Sequence, residues 1–173
     1  RGMVSEPMAS AAGLALSFLQ SQFTKYQAYQ NSKIYDTDAG FRSEIVRRNT
    51  MMINHLEVFE QRCLRQKQVE NIVAIQRIRS NLNSFTDDVN FGITGTTNVN
   101  TSGATLTKKQ VKNLIEHDHK ILQRQVKLTN LINQIQHDSQ ESANTTAELL
   151  SLEQQVTGVR NQFSERNNYI KSI

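Results

Sequence analysis

Tryptophan is absent from this 173-residue chain, proline and cysteine occur once each, and aromatic residues make up 6% of the whole. The lone Cys63 leaves no disulfide scaffold to build. With one proline, long stretches contain nothing to stop a helix. No run approaches the roughly 18 to 20 apolar residues that a spanning helix needs, so a transmembrane bundle is not expected. Charge is also scarce, with Asp, Glu, Lys and Arg supplying 21% of the chain. Carboxamides take its place: 17 Gln and 16 Asn, together 33 of 173 residues. The surface is therefore polar more than charged. A hydrophobic content of 37% is too high for a wholly disordered chain and too low for a thick globular core. The expectation is an all-α, elongated protein, either a long-helix hairpin or a coiled-coil bundle.

The net charge of +4 is unevenly placed. Between Phe41 and Phe85 stand Arg42, Arg47, Arg48, Arg62, Arg65, Lys67, Arg77 and Arg79 against Glu44, Glu57, Glu60 and Glu70, so eight minus four gives that segment the whole +4. Stacking aromatics are not interleaved with these charges, and no nucleic-acid-binding signature accompanies them. A solvated or subunit-facing surface is the expectation. The chain opens Arg1-Gly2-Met3 without an initiator Met at position 1, as a piece of a longer protein does.

Four segments follow from the pattern. Residues 1–35 contain a charge-free run, Ala9-Ser10-Ala11-Ala12-Gly13-Leu14-Ala15-Leu16-Ser17-Phe18-Leu19, that continues into a Gln-rich amphipathic stretch. Leu14, Leu16, Phe18 and Leu19 are the candidate oligomer or membrane contacts. Tyr35-Asp36-Thr37-Asp38-Ala39-Gly40 has turn composition. Within 36–85 a long basic helix is expected from about Phe41 to Phe85. Its seam runs through Ile45, Met52, Leu56, Phe59 and Cys63, then through Ile75, Ile78, Leu82 and Phe85. The two runs are out of phase, and Arg65-Gln66-Lys67-Gln68 between them predicts a stutter or a change of packing partner. Residues 86–106 are rich in Thr, Asn and Gly, giving a loop or a small β-hairpin tip built from Val89, Phe91, Ile93 and Val99.

Residues 107–173 carry the clearest periodicity. Every seventh residue from Leu114 gives Ile121, Leu128, Ile135, Ser142, Leu149, Val156, Phe163 and Ile170, apolar except for Ser142. Thr107 suits an N-cap. Thr145 followed by Glu148 has the form of a capping box, so the helix either breaks near 138–146 or runs through. Seams of this kind call for partner helices, and other copies of the chain are the expected source.

The sequence holds no Gly-rich phosphate loop, nucleophile elbow, Cys-x-x-Cys pair or His-Glu-x-x-His helix. Catalysis is not expected, nor any cofactor. His117 and His119 stand two residues apart and point to different sides of a helix, so no metal site is expected there. Asp36 and Asp38 suit a turn better than a cation site. Cys63 lies on an apolar face and suits a small buried hydrophobe.

The apolar start Ala9 to Leu16, the helix Gln20-Ser21-Gln22-Phe23-Thr24-Lys25-Tyr26-Gln27-Ala28-Tyr29-Gln30 and the basic stretch Gln68-Val69-Glu70-Asn71-Ile72-Val73-Ala74-Ile75-Gln76-Arg77-Ile78-Arg79 carry a resemblance. In layout and composition, over about the first 85 residues, the chain resembles the internal virion, or ejection, proteins of short-tailed bacteriophages. The resemblance implies a non-catalytic virion protein that forms a helical homo-oligomer and helps conduct DNA across the host envelope. It further implies other virion or channel proteins as partners, transient non-specific contact with DNA, and contact with the host membrane through the N-terminal apolar segment. Its implied location is the virion and then the host envelope. The alternatives are a secretion-system translocator or filament subunit, and a coiled-coil adaptor in a large intracellular, cytoplasmic complex.

Overall fold

The computed structural model describes residues 33–93, 105–140 and 145–173. They form four helices: α1 (Ile34–Arg65), α2 (Val69–Ile93), α3 (Lys108–Gln140) and α4 (Thr146–Lys171). The chain is all-α. The one strand-like pairing among the described residues is a single antiparallel bridge between Lys33 and Thr105.

Long-range hydrogen bonds fix the helix directions. At one end, Arg42 of α1 reaches the Val89 carbonyl of α2 and Asn167 of α4. At the other, Arg62 of α1 donates to the Gln136 carbonyl of α3, and Thr146 of α4 donates to Asn71 of α2. Helices α1 and α3 therefore run one way, α2 and α4 the other. Helix α1 packs on α2 and α3, and α4 packs on the same two, so α1 and α4 occupy diagonal corners. The result is an up-down-up-down four-helix bundle.

The single long basic helix expected over 36–85 is corrected to two helices joined by a tight turn. The Lys67 amide donates to the Leu64 carbonyl and the Gln68 amide to the Cys63 carbonyl, with Lys67 at φ 57°. This is a Schellman ending with a lysine in the left-handed position that glycine usually takes. It turns the chain back where the two apolar runs lose phase, so the stretch expected to hold a stutter holds a reversal. The second side of each seam is then supplied by the antiparallel neighbour.

Two further expectations change. Residues 36–40, of turn composition, belong to α1, because Asp38 is held inside the bundle by two arginines, and that tertiary pairing overrides local turn preference. Val89 and Phe91, placed in a hairpin tip, are helical; Val89 is buried on the α2 seam, four residues beyond Phe85. Residues 94–104 lie outside the described residues. The third region is two helices, with α3 ending at Gln140 and α4 starting at Thr146. Thr107 and Gln110 form a reciprocal capping box: Gln110 N–H donates to Thr107 Oγ1 at 3.1 Å, and Thr107 N–H donates to Gln110 Oε1 at 2.9 Å. Thr145 makes no such side-chain cap.

Every seam residue named from the sequence lies in the core: Ile45, Met52, Leu56, Phe59, Leu114, Ile121, Leu128, Ile135, Leu149, Val156, Phe163 and Ile170 are each at most 2% exposed. Phe85 and Phe163 meet at a ring separation of 5.8 Å, tying α2 to α4. The ladders are thus satisfied within one chain and do not themselves require other copies.

Candidate functional site

The bundle interior contains charge as well as apolar surface. Asp38, Arg42, Asp118 and Arg166 are all at most 4% exposed. Arg42 Nε donates to Asp38 Oδ2 at 2.5 Å, Arg166 Nη1 donates to Asp38 Oδ1 at 2.5 Å, and Arg166 Nε donates to Asp118 Oδ1. Arg42 spends its other nitrogens on the Val89 carbonyl at 3.1 Å and on Asn167 Oδ1 at 3.0 Å. Two cations and two anions cancel. Phe41 offers its ring 4.0 Å from the Arg166 guanidinium carbon, and Phe163 lies 5.0 Å from that of Arg42. Burial pushes the Arg42 guanidinium below its usual value, and the neighbouring Asp38 pulls it back up. The network links α1, α3 and α4 and reaches the α2 backbone. Its chemistry is that of a clasp, since each of the four charged side chains faces one of opposite sign.

A neutral layer follows along the bundle. Gln125 Nε2 donates to the Ile45 carbonyl at 3.0 Å and to Asn49 Oδ1 at 2.9 Å, and Asn49 donates to Thr86 Oγ1 at 3.2 Å. At the turn end a third layer gathers on Gln68 Oε1, which accepts from Cys63 Sγ, Asn71 Nδ2 and Ser139 Oγ at 3.2, 3.2 and 3.0 Å. Buried amides of this kind fix helix register, because a one-turn slip leaves them without partners. Some of the carboxamide content therefore serves inside the bundle.

Cys63 is buried, and desolvation pushes its thiol above its ordinary pKa, which makes it a poor nucleophile. His117 stacks against Tyr169 at a ring separation of 5.2 Å. Among the described residues no group of three or more His, Cys, Asp or Glu is placed to hold a metal ion. No described helix is long and apolar enough to cross a membrane. Leu14, Leu16, Phe18 and Leu19 lie outside the described residues, as does the side chain of Asp36.

The basic stretch from Phe41 to Phe85 is largely consumed by internal partners. Arg47 and Arg48 meet Glu44, and Arg79 bridges Glu57 and Glu60. Arg62 caps the Gln136 carbonyl at 2.7 Å. The cations that sequence reasoning passed over are on α3: Lys108, Lys109, Lys112, Lys120, Arg124 and Lys127. Their signal was present beside the Thr107 cap, in a first helical turn with lysines and no acid.

These features define a class, an up-down-up-down bundle with an ionic clasp at one end and a neutral amide layer near its middle. No protein-family model matches the chain, and neither does any curated protein or solved structure.

Proposed function

We propose that the chain is a non-catalytic structural protein that acts by assembly, as a homo-oligomeric component of a phage ejection channel that helps conduct DNA across the host envelope. The observation that carries the reading is the apolar surface beside the α1–α2 turn. Leu64, Val69 and Val73 remain 48%, 65% and 45% exposed there. Val69 and Val73 lie one turn apart on the same stripe of α2. Apolar side chains grouped at an end suit contact with a second copy or another channel protein. The bundle's other end begins at Lys33, which follows the apolar stretch containing Leu14 to Leu19 in the chain. The chain thus carries an apolar patch beside the α1–α2 turn and an apolar stretch ahead of the bundle in sequence, two elements that suit a subunit that grips a neighbour and meets a membrane. The resemblance of the first 85 residues to ejection proteins supports the particular assembly.

One observation favours the adaptor alternative: the heptad ladders are filled inside one chain, so they leave no open seam for other copies.

Size-exclusion chromatography with light scattering, with and without liposomes, separates the two. The channel reading expects rings of six or more subunits in the presence of membrane, broken by Val69→Lys/Val73→Lys. A monomer or dimer that ignores liposomes contradicts it. Deleting Ala9 to Leu19 is expected to abolish liposome leakage, and unchanged leakage removes that segment's assigned role.

A further inference from the structure

The outer face of α3 gathers six cations along one helix. Lys108, Lys109, Lys112, Lys120 and Lys127 are exposed and Arg124 is half-buried, with Glu116 the one exposed acid between them and Asp118 buried in the clasp. Among the described residues none of the six cations joins an ion pair. Glu116, four residues from both Lys112 and Lys120, pairs with neither. At about 1.5 Å per residue the cations span roughly 29 Å along one helix.

Their placement opposes the fold's own electrostatics. Lys108 and Lys109 occupy the first two helical positions after the Thr107 cap, and α3 has no acid in its first turn. A helix N-terminus carries partial positive charge, so cations there weaken the helix, whereas an anion brought to them relieves the repulsion. Residues that cost stability and form no ion pair among the described residues suit a partner outside the bundle.

We infer that the outer face of α3 is a docking surface for the phosphate backbone of a nucleic-acid duplex. Charge complementarity selects a polyanion. The chemistry of the face then selects among polyanions. Helix α3 contains no Phe, Tyr or Trp, so it offers no stacking platform for single strands. None of the exposed large apolar residues, Val58, Leu64, Val69, Val73, Phe91 and Leu150, lies on α3, so the face has nothing to bury between lipid headgroups. Lysines at varied spacing bind as hydrated point charges, without the bidentate fork that reads guanine. Binding is therefore independent of sequence and strongly dependent on salt. Helix α3 lies outside the stretch that carries the phage resemblance. The inference rests on the proposed function only for where a duplex would be met.

Fluorescence anisotropy of the full chain with a labelled 20-base-pair duplex tests it. With four or five phosphates neutralised, affinity is expected to fall on the order of a hundred-fold or more between 50 and 200 mM salt. Lys109→Glu/Lys112→Glu/Lys120→Glu/Lys127→Glu should lose at least about fifty-fold at low salt. A control of equal net charge, Arg65→Glu/Lys67→Glu/Arg77→Glu/Lys171→Glu, should lose less than about five-fold. Glu116→Gln should tighten binding about two-fold. If the reversed α3 variant misfolds by circular dichroism, the corresponding Lys→Gln variant takes its place and should still lose about ten-fold. Equal losses in the α3 and control variants overturn the inference, as does no binding by the unaltered chain at 50 mM salt. Tighter binding to vesicles of one-third phosphatidylglycerol than to duplex, abolished by the α3 reversals, also overturns it. Light scattering with liposomes reads assembly separately, so a chain that stays monomeric beside liposomes yet binds duplex through α3 contradicts the proposed function and leaves this inference standing.

Discussion

Arg42 and Arg166 on α1 and α4, and the lysines of α3, carry the same sign of charge in one small bundle and meet opposite fates. The arginines are at most 1% exposed and share Asp38 and Asp118, with aromatic rings over their guanidinium planes. The lysines stand in solvent with no acid partner among the described residues, and two of them occupy the helix end least suited to them. The planar guanidinium tolerates desolvation and satisfies several acceptors at once, while the ammonium holds its water. The contrast teaches that a basic segment says little until its pairing is known. Phe41 to Phe85 holds the larger count of cations, and most of it is tied up within the bundle.

The most damaging way to break the contrast is to remove the acid that serves both arginines. Asp38→Ala leaves two buried guanidinium groups facing one carboxylate, and is expected to cost about 3–5 kcal/mol. In a bundle of this size that lowers Tm by 10 °C or more, to the order of magnitude. Calorimetry checks it, and a loss under about 1 kcal/mol would mean the network is solvated.

A smaller effect of opposite sign comes from a lysine outside α3. Lys67 holds φ 57°, a conformation costly for a residue with a Cβ. Lys67→Gly should stabilise the protein by about 1 kcal/mol in urea unfolding and leave duplex affinity nearly unchanged. The same reasoning in reverse applies to Gly40, which is helical with open space around its missing Cβ. Gly40→Ala should gain about 1 kcal/mol.

The smallest effect concerns Cys63. Burial favours the neutral thiol and raises its pKa, so its stabilising contribution is complete below the unfolded thiol's pKa and is lost as pH rises through the folded value. Melting followed between about pH 8 and 10 should decline less steeply in Cys63→Ala than in the unaltered chain.

The seam residues were legible because a helix must repeat its apolar face, and Leu114 to Ile170 repeat it across two helices. The chain reversal at 66–68 was not. Neither Gly nor Pro marks it, and a lysine occupies the left-handed position. The clasp was illegible for a different reason: Asp38 meets Arg166 across 128 residues, and Asp36-Thr37-Asp38-Ala39-Gly40 has the composition of a turn. Local preference yields when two arginines wait in the interior. The lysines of α3 were visible in the sequence, but their meaning depends on Asp118 facing inward, which only the packed bundle reveals.

The most direct measurement follows melting and duplex affinity together in Lys108→Glu/Lys109→Glu. Placing acids at the positive end of α3 should add about 0.3–1 kcal/mol of stability per site. The same change should weaken duplex binding by about ten-fold. Higher Tm with lower affinity is the expected result. A lower Tm, or unchanged affinity in a well-folded variant, would contradict the assignment of this face to contact outside the bundle.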